Sequence, residues 1–217
     1  MNKKEYRFLT QDLRATGTDA KPKIQGYAAR YNVKTQLQPG LREVIRPGAF
    51  RKTVAAKDDC YACFNHDEQQ ILGRVRAGSL RLKEDSDGLY FDCDIDTGVS
   101  YASDLYRNIK SGAISECSFG FYALNDDYVA DDEDSSEVLR ELKECQVFDV
   151  SPVVMPQYSN TSVSARSRAM FPDGIPTDLE RRFKSARAAE VVAASVEVSE
   201  RDLAHARARL EFAKRLS

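Results

Sequence analysis

The run Leu89-Tyr-Phe-Asp-Cys-Asp-Ile95 places an apolar residue at every second position. That period of two suits a half-buried strand. Leu89, Phe91, Cys93 and Ile95 line the covered face, and Tyr90, Asp92, Asp94 and Asp96 face water. Just upstream, Leu80–Lys83 reads as the partner strand. Between the two, Asp85-Ser-Asp-Gly88 supplies the residues that a tight reversal needs. A hairpin over 80–95 therefore anchors a fold that must be rich in antiparallel strands.

Other segments extend this pattern. Lys23 to Val33, Cys60–Phe64 and Ile71–Arg76 read as strands. Pro47 to Val54 can start a short helix, since proline is tolerated in the first turn. Ser100 can cap a helix reaching about Lys110, with Leu105 and Ile109 on one face and Gly112 at its end. The acidic stretch from Asn125 to Glu141 reads as a solvated, mobile loop. The expected class is α/β of the α+β kind: an antiparallel, strand-rich, barrel-like core with short flanking helices and a long C-terminal helix.

After Pro156 the composition turns to Ser, Arg, Asn, Pro and Gly, which is linker chemistry. Thr177 and Glu180 then form a capping-box pattern. Beyond them Val192, Val196, Ser199, Leu203, Ala206, Leu210 and Ala213 recur at spacings of four and three. The expected organisation is a domain over 1–163, a linker over 164–176 and a helical tail over 177–217. The tail could pack on its own domain or dock a partner, and its stripe leaves self-association open.

A formal net charge of -2 gives no global field that would draw nucleic acid or an anionic membrane. No apolar run approaches the roughly 20 residues that span a bilayer, and the first residues lack a segment of signal-peptide length. Five cysteines is an odd number, so reduced thiols in a cytoplasm are expected. No cofactor is expected.

The candidate chemistry lies in three segments. In Ser118-Phe-Gly-Phe121, the phenylalanines anchor a strand and turn the Ser118 hydroxyl outward, while Gly120 leaves room for a substrate backbone. One of only two histidines, His66, follows the apolar run Cys60–Phe64 and could act as a general base. Asp149 sits beside Phe148 and Val150, where an acid needs a partner such as an imidazole N–H. Cys60, Cys63 and His66 have partial zinc spacing, but a second ligand pair is missing. Core cysteines are the better account, and no metal is assigned.

Taken in order, Phe64-Asn-His-Asp67, Ile71-Leu-Gly-Arg74, Ser118-Phe-Gly-Phe121 and Phe148-Asp-Val-Ser-Pro-Val153 resemble the prohead proteases of tailed bacteriophages. Gly26–Tyr31, Ile45–Phe50 and the hairpin extend the resemblance over roughly residues 5 to 165. It implies a serine endopeptidase that matures capsids, with a fold related to that of the herpesvirus assembly proteases. It also implies His66 as base, Ser118 as nucleophile and Asp149 as the third member. Glu144 is an alternative acid, Ser115 a competing serine, and Arg74 a candidate support for the oxyanion. The implied partners are phage scaffold and major capsid protein, met inside the assembling prohead in the host cytoplasm. The rival expectation is a catalytically idle capsid-assembly or scaffold protein of the same fold.

Overall fold

The computed structural model describes residues 3–9, 13–18, 20–134, 136–154 and 170–189. Among these residues, eleven strands form two sheets. The first runs β1 (Glu5–Leu9), β10 (Glu116–Ala130), β11 (Val138–Val153), β5 (Leu41–Ile45) and β4 (Thr35–Gln38). In the same sheet β6 (Tyr61–Phe64) pairs with β11, and β7 (Asp67–Arg74) pairs with β6. The second runs β2 (Arg14–Thr18), β3 (Lys21–Arg30), β9 (Gly88–Asp94) and β8 (Leu80–Glu84). The class is α+β, as the alternation implied.

Two details differ from the expected antiparallel barrel. Neither sheet closes, and β11 pairs in parallel with both β5 and β6. The cause lies in the connection. After β5 the chain makes a helical excursion, α1 (Arg51–Ala56), and rejoins the same edge of β11 still running in the same direction. Two backbone bonds keep it on that edge: Arg46 N–H donates to Leu142 O (2.9 Å) and Cys145 N–H to Ala49 O (2.8 Å).

The hairpin β8–β9 buries Leu80, Leu89, Phe91 and Cys93 against the other sheet. From that sheet Phe119 and Phe121 stack with ring centroids 5.0 Å apart, and Phe50 meets Phe119 edge-on at 5.8 Å. Helix α2 (Ser100–Lys110) adds Ala102, Leu105, Tyr106 and Ile109 to the same core. Its cap is Val99 rather than Ser100, which is already helical, and no side chain bonds the first turn. Gly112, at φ 78°, ends the helix where a side chain would be strained.

The acidic stretch is mostly not a loop. β10 and β11 run through it as a long hairpin whose ladder reaches Ala130 opposite Val138. Several acids that looked solvated are ion-paired instead. Asp131 is buried between Lys34 (2.6 Å) and Arg42 (3.2 Å). Asp126 is bound by Arg140 (2.7 Å) and by Arg182. Asp126 and Tyr128, two apart, share the covered face while Asp127 and Val129 face out, and the excess of charge masked that alternation.

Residues 177–189 form a third helix, α3. With Met170 and Phe171, its Leu179 and Phe183 close a second apolar cluster on Leu37, Leu41 and Val138. Thr177 is already helical, and the Glu180 carboxylate pairs with Lys184 (2.8 Å), so that ion pair takes the place of the expected capping box. The stripe from Val192 to Ala213 lies outside the described residues, as do residues 164–169 of the expected linker. No described helix is long and apolar enough to cross a membrane.

One buried network ties four strands together. Arg140 donates to Glu5 (2.7 and 3.0 Å), Glu43 (3.0 Å) and Asp126 (2.7 Å). Arg7 donates to Glu43 (2.6 and 2.8 Å) and Glu5 (2.7 Å). Burial pushes the Glu5 carboxyl up, but Arg140 and Arg7 outweigh it and hold it low. Removing one member leaves the others buried without compensation. Arg140→Ala should therefore cost about 3–5 kcal/mol in urea unfolding.

Just after β10, burial raises the Asp131 carboxyl, but Lys34 and the Glu133 backbone N–H hold it at about 2. A depressed carboxyl stabilises the fold above its unfolded value of about 3.9 and loses that contribution as pH falls through the folded value. Asp131→Asn should therefore flatten the drop in urea midpoint between about pH 4 and pH 2.

Candidate active site

The β6–β7 reversal is a two-residue loop, because Phe64 pairs with Asp67 and leaves Asn65 and His66 between them. Both have positive φ, 52° and 62°. That is the requirement of the mirror-image turn matching hairpin twist, in which asparagine is at home and histidine is not. The strained conformation is held from the end of β11 and the residue after it. Asn65 N–H donates to Pro152 O (3.0 Å), and Asn65 Oδ1 accepts from Val154 N–H (3.1 Å). The turn carries the imidazole across β11 toward β10. Strain of this kind persists where surrounding contacts over-determine it, often at functional sites.

β11 and β10 supply the other groups. Ser118 stands opposite Ser151, and Gly120 opposite Asp149. Phe148 is then the extra residue of a bulge, since Phe121 already pairs with Val147. Asp149 and Ser151, two apart on a strand, share a face. His66 Nε2 lies 2.7 Å from Ser118 Oγ, and His66 Nδ1 bonds Asp149 Oδ2. Asp149 Oδ1 accepts the Ser151 hydroxyl at 2.7 Å and faces the Cys63 thiol at 3.5 Å.

Burial sets the electrostatics. Asp149 is 1 % exposed and Ser118 0 %, so the carboxylate depends on donors for its charge. Burial and the Asp149 charge both push the Cys63 thiol up, so it stays protonated. The same two causes raise the Tyr6 phenol, whose ring packs on the imidazole with centroids 4.2 Å apart. With Nδ1–H given to Asp149, Nε2 is left to accept from Ser118. A second acceptor competes: Arg7 O lies 2.9 Å from Ser118 Oγ. The hydroxyl has one proton for the two.

The Ser118 hydroxyl was expected to face outward, and it is covered. β1 lies along β10 with Phe8 opposite Ser118. Space was also expected above Gly120. A Cβ there would meet the Phe148 and Tyr6 rings at 2.7 Å, so two aromatic rings fill it. Tyr6 comes from β1 and Phe148 from the bulge of β11, so the space at Gly120 is closed from both neighbouring strands.

The remaining candidates stand elsewhere. Glu144 bonds Lys52 (2.7 Å) and does not reach the imidazole. Ser115 precedes β10, and its N–H turns to the Glu116 carboxylate. Arg74 is gripped by Asp59 through Nε and Nη2 (2.9, 3.1 and 2.7 Å). Cys60 and Cys117 are buried in the core cluster. Among the described residues, no three His, Cys, Asp or Glu side chains are grouped to hold a metal ion.

Sequence reasoning missed Ser151 and Cys63 as neighbours of Asp149. The spacing Asp149-Val-Ser151 carried the first signal, because a strand puts both on one face. No local signal marked Cys63, whose position depends on how β6 pairs with β11. Ser151→Ala would leave Asp149 Oδ1 with only a long thiol contact. A loss of about 1–3 kcal/mol in urea unfolding is expected for a buried acceptor stripped of its donor.

The chain's residues 9–172 match the family model described as caudovirus prohead serine protease. That range contains His66, Ser118 and Asp149, and of β1 it includes only Leu9. Neither the curated proteins nor the solved structures contain a match.

Proposed function

Because the chain belongs to the caudovirus prohead serine protease family, we propose that it is an active endopeptidase cleaving scaffold and major capsid protein during prohead maturation. The single observation that carries this reading is a convergence. Side chains at positions 66, 118 and 149 meet with His66 Nε2 2.7 Å from Ser118 Oγ and Nδ1 on Asp149.

In the proposed reaction, Ser118 attacks the scissile carbonyl while His66 Nε2 takes its proton. Asp149 holds the Nδ1–H tautomer and stabilises the imidazolium that forms. Ser151 fixes the other carboxylate oxygen and so steadies the orientation of Asp149. His66 then protonates the leaving amine, and water repeats the sequence on the acyl-enzyme. Since Arg74 is held by Asp59, the oxyanion falls to backbone N–H groups. The work would take place inside the assembling shell, in the host cytoplasm. Residues 170–189 would belong with the catalytic unit, since they complete its second apolar cluster.

A catalytically idle assembly protein is the second reading, and the complete burial of Ser118 favours it. Mutation separates the two. Ser118→Ala removes one buried hydrogen bond and should still fold, yet its turnover on co-expressed scaffold should fall by about 10⁴ to 10⁶. Asp149→Asn should lose on the order of 10⁴ by favouring the wrong tautomer. Gel analysis of the scaffold reads both outcomes. Processing by Ser118→Ala at the wild-type rate would reject the active site as assigned.

A further inference from the structure

We propose that the outer edge of β10 beside Ser118 is the docking site for the extended polypeptide to be cleaved, and that β1 occupies it as a built-in strand that substrate must displace. The inference rests on the protease reading above. It starts from geometry. A strand has two hydrogen-bonding edges, and an incoming peptide can join a sheet only at an open one. Along residues 117–121 of β10, one edge is taken by β11 and the other by β1. A substrate lying extended across Ser118 therefore needs the position that β1 holds.

β1 also makes the contacts that a substrate would make. Its Arg7 carbonyl oxygen accepts from Ser118 Oγ at 2.9 Å. That oxygen competes with His66 Nε2 for the one hydroxyl proton, so the strand blocks the serine. Tyr6 and Phe8, two apart and therefore on one face, pack against His66 with centroids at 4.2 and 6.0 Å. Tyr6 also fills the space above Gly120. The matching substrate is an extended segment with bulky apolar or aromatic side chains at alternate positions around the cleaved bond.

The strand is built to leave. It is the edge of its sheet, five residues long, and among the described residues it pairs with β10 alone. Its buried charges would seem to prevent departure, but they divide evenly. Glu5 and Arg7 bond each other at 2.7 Å and would leave as a neutral pair. Glu43 and Arg140, 3.0 Å apart, would stay behind as another. Asp126 keeps Arg182 as well as Arg140. Neither half is left with a lone buried charge.

A reversible lock tests the proposal. Leu9 stands opposite Cys117 in the ladder, and Cys117 lies on the strand face away from Ser118. Directly opposed residues come within bridging range, so Leu9→Cys can form a disulfide that pins β1 to β10. Cleavage of co-expressed scaffold is then compared for oxidised and reduced protein, with wild type under the same oxidant as control. If substrate needs the edge, oxidation should cut the rate by at least about 100-fold, because the competent population vanishes, and reductant should restore it. Equal rates in the two forms would overturn the proposal while leaving the protease reading intact. If no form cleaves, the protease reading fails alone, and amide hydrogen exchange decides the docking site. Adding scaffold to the Ser118→Ala protein should speed exchange at residues 6–9. Unchanged protection there would overturn the proposal.

Discussion

Five charged side chains, Glu5, Arg7, Glu43, Asp126 and Arg140, lie almost entirely out of water where β1, β5, β10 and β11 come together. Isolated, each would be costly to bury. Together they are tolerated because each carboxylate finds guanidinium N–H groups at bonding distance. This mutual dependence joins side chains from all four strands in one set of bonds. Its bonds join β5 to β1 and to the paired strands β10 and β11. They also tie β1, through Glu5 and Arg7, to the strands beside Ser118.

The site inherits its precision from that frame. Ser118 and Asp149 sit on strands whose register is fixed on both sides, and only His66 arrives on a turn. The turn is strained, and it is held by one bond to β11 and one to Val154 just after it. A rigid base for two members and a braced loop for the third keeps the imidazole between its partners. The carboxylate is desolvated but ringed by neutral donors, which leaves its charge directed at the imidazole. Family membership is consistent with this arrangement. The burial of Ser118 adds a feature that the arrangement alone would not require.

Legibility in the sequence followed the range of the interaction. Leu89, Phe91 and Cys93 could be assigned to a buried face because a strand alternates locally and needs no partner to do so. Ser118, His66 and Asp149 were singled out by their residue types, their neighbours and the family resemblance. Glu144 could not be set aside in the same way. Which acid faces the imidazole depends on how β11 lies beside β6, and no local pattern encodes that. The acidic stretch from Asn125 to Glu141 misled for a related reason: charge density suggests solvation until buried arginine and lysine partners are known.

By itself the sequence determined the α+β class, the β8–β9 hairpin, the extent of α2, the family and its chemical candidates. These rest on periodicity, turn residues and short motifs, all of which act within a few residues. Only the tertiary structure decided that the sheets stay open, that β5 and β6 pair in parallel with β11, and that Arg74 belongs to Asp59. It also decided that Tyr6, Arg7 and Phe8 cover Ser118. Each of these is a choice among partners distant in the chain, settled when buried charges and backbone groups must all be satisfied at once.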